Sequence, residues 1–242
     1  MTDPVVLFAS CILFVAFFIR ALTGFGAGLI SIPLLALFWD VGFVVPMELL
    51  FEVGLSVLLL PKVWRDIDFK HVINLAVGMF FGNLIGSFSL ANFNAPLLRL
   101  LLAGLVLLFS IYLGASARKP PQLNIPHRWG FLFGLGGGFF GGAFGMSGPV
   151  VMLYLAHQIP DKTRLRATVI ALFFLASTWT VFMHWANGLY NAESFRVLLL
   201  LTPAFLIGTA LGHLAHFKTS DSAFRYIVAA ILFVSSLLLF FK

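Results

Sequence analysis

Charge is scarce in this chain. Of its 242 residues only 10% are Asp, Glu, Lys or Arg, while 61% are hydrophobic; an ordinary soluble domain carries about 25% charged residues to keep its surface wet. A single water-soluble globule is excluded, and the solvent is lipid. Cysteine is almost absent: Cys11 alone, in an apolar run, cannot form an internal disulfide and reads as a small apolar residue. The six His are scattered, and only His213 and His216 share a helix face, as residues at a helix end do. No His-Glu metal motif and no Ser/His/Asp set is present, which argues against an enzyme and against a resident metal or cofactor. Polar–apolar alternation over about ten residues, the mark of a membrane barrel, is also missing. Stretches such as LLRLLLAGLVLLFSIYL are apolar on every side.

What the chain does have is long uncharged runs. Lys70 to Arg99 encloses 28 uncharged residues, Arg166 to Glu193 encloses 26 and Arg196 to Lys218 encloses 21, and a helix needs about 20 apolar residues to cross a bilayer. The net charge of +6 lies in short segments between these runs. That is where membrane topology places Lys and Arg, so basicity here does not indicate nucleic acid. The first apolar run follows Met1 to Pro4 with no positive leader and no cleavage-type sequence after it, and is expected to be a retained helix.

The chain repeats itself. TGFGAGLISIP, ending in Ser31-Ile32-Pro33, is followed 116 residues later by FFGGAFGMSGP, ending in Ser147-Gly148-Pro149. Gly82-Asn-Leu-Ile-Gly86 precedes Gly208-Thr-Ala-Leu-Gly212 by 126 residues, and at that offset Arg99 falls on Arg225, Ala103 on Ala229 and Ser110 on Ser236. The two offsets imply a duplication with ten extra residues in the second copy. The expected units are a first repeat at 1–116, a cytoplasmic linker at 117–129 that carries three prolines, and a second repeat at 130–242. Eight unbroken helices would divide the cations eight against six between the two sides. If the glycine-rich breaks turn the chain back, eleven fall inside and three (Arg99, Arg196 and Lys242) outside, with Arg20 unassigned. Five elements per half insert the halves upside down, the inverted repeat of secondary transporters. The expected fold is therefore an all-α integral membrane protein of two inverted repeats. Each has a glycine-rich broken helix or re-entrant hairpin plus three transmembrane helices.

Non-helical backbone inside a membrane is tolerated where it is buried in protein or lines a wet cavity. Each break ends in Ser-x-Pro, a pattern for a capped helix start. Two such starts, each with roughly half a positive charge and free amides, would make an anion site near the midplane. Gly78, Gly82, Gly86, Gly208 and Gly212 read instead as close helix packing. Arg20, beside the first break, is either a substrate charge or an end residue that snorkels. Glu48, two residues after Pro46, reads as a first-turn acid. Glu52, on the same face one turn deeper, is the candidate for proton coupling or for pairing with Arg20. Asn83 and Thr209, in the matched glycine motifs, either hydrogen-bond substrate or join helices.

At these residues the sequence resembles the TauE/SafE sulfite-exporter family of integral membrane proteins. The likeness runs through TGFGAGLISIP, GGAFGMSGP, the PKVWRDIDFKH loop, HWANGLYNAESFR and the GNLIG and GTALG pair. It implies transport, without ATP, of a small sulfur-containing anion such as sulfite, sulfoacetate or another organosulfonate. It carries over only the two broken-helix motifs, Gly24, Gly26, Gly28, Ser31 and Pro33 with Gly141, Gly142, Ser147 and Pro149. One departure stands out: Glu52 occupies the second helix of the first half where family members often have a small hydroxylated residue, as Thr168 is in the second half. The expected substrate site thus comprises Arg20, Thr23, Gly24, Gly26, Gly28, Ser31, Pro33, Asn83, Gly141, Gly142, Ser147, Gly148, Pro149 and Thr209, with Glu52 as coupling residue. The expected partners are a small anion, the lipid of an inner membrane and, as a further partner, a second copy in a homodimer. A cation carrier using Glu48 and Glu52 and a non-transporting assembly subunit are the alternatives.

Overall fold

Each long apolar run becomes a helix, as it must where no water is at hand to satisfy stray amides. The computed structural model describes residues 3–23, 26–116, 125–214 and 221–242. Among them ten α-helices follow one another with no strand: α1 (Asp3–Thr23), α2 (Ala27–Leu35), α3 (Val41–Val63), α4 (Phe69–Asn92), α5 (Ala95–Ala115), α6 (Gly130–Phe144), α7 (Gly148–Gln158), α8 (Lys162–Ala186), α9 (Ala192–Leu214) and α10 (Asp221–Phe240). Six of them, α1, α3, α4, α5, α8 and α9, contain spans long and apolar enough to cross a membrane. The nine residues of α2 and eleven of α7 reach only about 14 and 17 Å, roughly half of the hydrocarbon core.

The loops sort to two ends of the bundle. At the first end Asp68 lies 3.1 Å from His71 and 3.5 Å from Arg164, and its amide donates to Thr168 Oγ1. Asn74 and Tyr154 both reach His127 there. Partial burial pulls the Asp68 carboxyl up, but the His71 hydrogen bond and charge and the Arg164 charge pull it down further, leaving it below the ordinary aspartate value. At the second end Arg99 is 3.6 Å from Asp40, Lys242 donates to Ala36 O and Tyr190 donates to Pro46 O. Residues 61–71 and 157–166 therefore share an end, away from Arg99 and Lys242. Eight unbroken helices would have put Arg99 beside Arg164.

The pair α1–α2 begins and finishes at the second end, where Phe8 stacks on Phe38 with ring centroids 6.4 Å apart. The pair α6–α7 begins and finishes at the first, where Gln158 Nε2 donates to Ile125 O at 2.6 Å. Both pairs are thus helical hairpins, and their tips meet: a Cβ on Gly28 would stand 2.6 Å from Gly145 O.

Close helix packing locks the hairpins in place. α6 lies along α4, and α1 along α9. Gly78, Gly82 and Gly86 face the carbonyls of Phe131, Leu135 and Phe139, while Gly208 and Gly212 face those of Phe14 and Phe18, so closely that any Cβ would strike backbone. These small residues pack, as the sequence suggests. α3 packs on α8 and α5 on α10. In the second pair Ser110 Oγ donates to Ala229 O at 2.8 Å and Ser236 Oγ to Ala103 O at 3.0 Å, so the two helices run antiparallel.

The register expected from the two Ser-x-Pro motifs is wrong by more than a turn. α2 starts at Ala27 and α7 at Gly148, 121 residues later rather than 116. Ser31 and Pro33 lie inside α2, and the Ser31 hydroxyl donates back to Ala27 O. Only Ser147 and Pro149 stand at a helix start, and even Ser147 makes no side-chain capping bond. Glycine opens the first short helix: Gly26 adopts φ 99°. The offset of 126 holds for α5 and α10, whose matched Ser and Ala residues exchange hydrogen bonds. The two offsets then differ by five residues, not ten.

Candidate functional site

A cavity lies where the hairpin tips meet. Its position follows from how the helices end. At α6, Gly145 takes φ 64°, its amide donates to Gly141 O at 2.9 Å and the Met146 amide donates to Phe140 O at 3.1 Å. This double bond closes a helix on a left-handed glycine. The next helix opens at once, so Ser147, Gly148 and Pro149 face the cavity from one side and Gly26, Ala27 and Gly28 from the other. Two helix starts therefore point their unbonded amides and partial positive charge at one space.

That space is small, about 40 Å³. At roughly 10–15 Å³ per water centre it holds a few waters, and a larger cargo requires the tips to part. Glu52 is the middle residue of α3, which spans Val41–Val63, so the cavity sits halfway across the bundle.

Arg20, near the end of α1, is 1% exposed. It grips Glu52 with two nitrogens: Nη2 pairs with Oε1, and Nε donates to Oε2 at 3.2 Å. Its guanidinium also stands 5.5 Å from the centre of the Phe173 ring. Removing one partner of a buried ion pair costs about 3–5 kcal/mol, because the other charge is left uncompensated. Arg20 Nη1 has no hydrogen-bond partner among the described residues. Burial excludes the snorkelling reading of Arg20, and pairing with Glu52 is the alternative realised.

Asn83, on α4, is 1% exposed, and neither its amide nitrogen nor its amide oxygen finds a hydrogen-bond partner among the described residues. It therefore does not join helices by a side-chain hydrogen bond, and faces the cavity instead. A Cβ on Gly141 would lie 3.2 Å from both Asn83 Oδ1 and Ser147 Cβ, so these two polar residues converge. Ser177 and Thr180 of α8 complete the wall, their hydroxyls donating to Phe173 O and Ala176 O.

Of the residues expected from sequence, Arg20, Gly26, Gly28, Glu52, Asn83, Gly141, Ser147, Gly148 and Pro149 come together around this cavity. Ser31 stands behind Glu48, 3.3 Å from its Oε1, and Pro33 is buried further along α2. The Gly142 carbonyl accepts from His184 Nε2 at 2.9 Å, and its Cα packs on Asn83 and Ser87 backbone. Thr209 belongs to α9, away from the cavity, and its hydroxyl has no partner. The Thr23 side chain and Gly24 lie outside the described residues.

Two residues of the cavity were not among the expected substrate-site residues. Glu48 is not a first-turn acid, because α3 begins at Val41 and carries Pro46 in its interior. It is buried and lines the cavity beside Glu52; the four-residue spacing was the available signal. Gly145 was overlooked as a helix stop, although a glycine directly after the last helical residue is the usual mark of one. Thr168, matched with Glu52 by sequence, instead lies at the first end of the bundle against Asp68. Phe173 occupies the place opposite Arg20.

The family model described as "Sulfite exporter TauE/SafE" matches residues 9–239. The chain belongs to the TauE/SafE family. Among TauE/SafE proteins, one from Cupriavidus necator named "Probable sulfite/organosulfonate exporter TauE" is 29% identical over 205 residues, which cover 81% of this chain and 78% of that relative. No solved structure matches. Membership in TauE/SafE together with the six apolar helices makes the chain a multi-pass membrane transporter.

Proposed function

We propose that this TauE/SafE protein is a secondary carrier that moves a small oxyanion, sulfite, sulfoacetate or another organosulfonate, across the inner membrane by alternating access. The observation that carries this reading is the cavity. Two helix starts converge on one space halfway through the bundle with Arg20 Nη1 and Asn83, which have no hydrogen-bond partner among the described residues. All of them except the Asn83 amide oxygen offer hydrogen-bond donors or positive potential, which suits an oxyanion.

The two halves, 1–116 and 130–242, are inverted copies in this proposal. Support comes from exchanged contacts: α4 with α6 answers α9 with α1, and the Ser110–Ala229 bond answers Ser236–Ala103. The first end, rich in Lys and Arg, faces the cytoplasm under the positive-inside rule. Rocking one half against the other would part the tips toward one side at a time. A buried carboxyl at the cavity that takes up a proton as the anion binds would couple transport to protons; Glu52 is the residue expected from sequence, and Glu48 lines the cavity beside it. The cation-carrier alternative is less well served, because Glu52 is already held by Arg20 and leaves one unpaired carboxylate.

Purified protein in liposomes tests the proposal by uptake of labelled sulfite, sulfoacetate and simple alkyl sulfonates, with sodium and potassium as controls. Saturable anion flux that cations do not compete is the expected result. Absence of anion flux contradicts it and leaves the assembly-subunit alternative.

A further inference from the structure

We infer that Glu48 holds the proton that lets this cavity accept an anion, and that this proton travels with the anion. The inference rests on the anion-carrier reading of the same cavity and adds the residue and the stoichiometry of coupling.

The hydrogen positions around Ser31 come first. Its hydroxyl has a single hydrogen and two oxygens in reach, Ala27 O at 2.9 Å and Glu48 Oε1 at 3.3 Å. The nearer carbonyl takes it, in the backward bond typical of a helical serine. Ser31 Oγ can also give its hydrogen to Glu48 Oε1; while that hydrogen stays on Ala27 O, the same contact is a hydrogen bond with a protonated Glu48 as donor to Ser31 Oγ. Glu48 is 1% exposed, and Ser31 is its one hydrogen-bond partner among the described residues.

Charge points the same way. The charged groups that act on Glu48 are Glu52 from its own helix and Arg20 from α1. α2 offers it only the Ser31 hydroxyl. α6 and α7 bring backbone, glycine and Ser147 to the cavity. α8 brings Ser177 and Thr180, while its His184 turns to Gly142 O and its Arg166 to Ala21 O. Asp40, Arg99 and Tyr190 stay at the far end of α3. Arg20 is already neutralised by Glu52, so the cavity is neutral only when Glu48 is protonated. An ionised Glu48 would set an uncompensated negative charge against any entering anion in a buried space.

Position supplies the access route. A Cβ on Gly28 would lie 3.3 Å from Glu48 Oε2, and one on Gly145 would lie 3.8 Å from it. The second carboxyl oxygen therefore sits at the junction of the two tips. Whatever parts the tips to admit an anion also opens Glu48 to water on that side. The proton is taken from water there, is held as the neutral acid while the anion is bound, and is returned to water when the tips part on the other side.

Two measurements test this. Infrared difference spectra of the protein in lipid at neutral pH should show a protonated carboxylic acid band that is kept in the double variant Arg20→Met/Glu52→Met, lost in Glu48→Gln and shifted to higher frequency in Ser31→Ala, where the hydrogen-bond acceptor is gone. A band that survives Glu48→Gln, or no band in the wild type, overturns the inference. In liposomes containing a pH-sensitive dye, methanesulfonate, whose own charge does not titrate near neutrality, should enter the wild type with one proton per anion. In Glu48→Gln the proton movement should vanish, and any remaining anion exchange should no longer respond to a pH gradient. Proton movement that persists in Glu48→Gln overturns the coupling role. No methanesulfonate movement in the wild type contradicts the carrier reading and, with it, cotransport, while the infrared band still decides where the proton sits.

Discussion

The two hairpins share a shape and differ in chemistry. Each starts and finishes at one end of the bundle, turns on a left-handed glycine (Gly26 or Gly145) and opens a short helix toward the cavity. Around the first tip cluster Arg20, Glu48 and Glu52, all buried. Around the second tip the polar residues at the cavity are Ser147, Asn83, Ser177 and Thr180, none of them charged. Where Arg20 meets a carboxylate on α3, it meets the Phe173 ring on α8. The two hairpins thus share a backbone geometry while charge is concentrated at one of them. Geometry places the helix starts; a single buried ion pair is enough to set the charge, and a second would double the desolvation cost.

The charged tip is the place where substitution should hurt most. Arg20→Met leaves Glu52 buried alone and should lower stability by about 3–5 kcal/mol, read as thermal unfolding in detergent, with loss of anion flux. The double variant Arg20→Met/Glu52→Met should recover most of the stability and none of the flux. A single variant as stable as wild type would break the contrast between the tips. The interlock, by comparison, should be equal on both sides. Gly82→Ala against α6 and Gly208→Ala against α1 each force a methyl onto backbone and should each cost about 1–3 kcal/mol. A large difference between them would show that the halves are not locked alike.

The turning glycines sharpen the comparison further. Both have positive φ, but a Cβ on Gly26 meets open space while one on Gly145 comes within 2.5 Å of Ile32 Cδ1. Gly26→Ala should cost about 1 kcal/mol from backbone strain alone, and Gly145→Ala distinctly more. The smallest effect belongs to the first end of the bundle. The Asp68 carboxyl is held below its ordinary value, so its contribution is present above the unfolded-state value and is lost as pH falls through the folded one. Asp68→Asn should flatten that acid limb in a stability-against-pH curve by lowering neutral stability slightly, with little change at acid pH.

Much of this was legible in the residues. The uncharged runs mark the spans, the distribution of Lys and Arg marks the broken segments, and the Gly82 and Gly208 motifs mark the tight packing. The register of the repeat was not, because a helix that opens on a left-handed glycine needs no capping side chain. The Ser-x-Pro text at Ser31 then mimics a start that lies a turn earlier, at Ala27. Glu48 was hidden by Pro46, which marks a helix start in most settings but sits inside α3 here. The Arg20–Glu52 pair was half legible: the charges stood out, and their partnership joins residues 32 apart that only the hairpin brings together.

Anion binding between the tips is the central claim, and thermal stabilisation measures it directly, since a ligand that binds only the folded protein stabilises it by RT ln(1 + L/Kd) at free ligand concentration L. Wild-type protein should be stabilised by sulfite or methanesulfonate. Asn83→Ala and Ser147→Ala should unfold normally without anion yet need about tenfold more of it for the same shift, as expected for one lost hydrogen bond to a charged group. Identical titrations in all three proteins would contradict an anion site between the two hairpins.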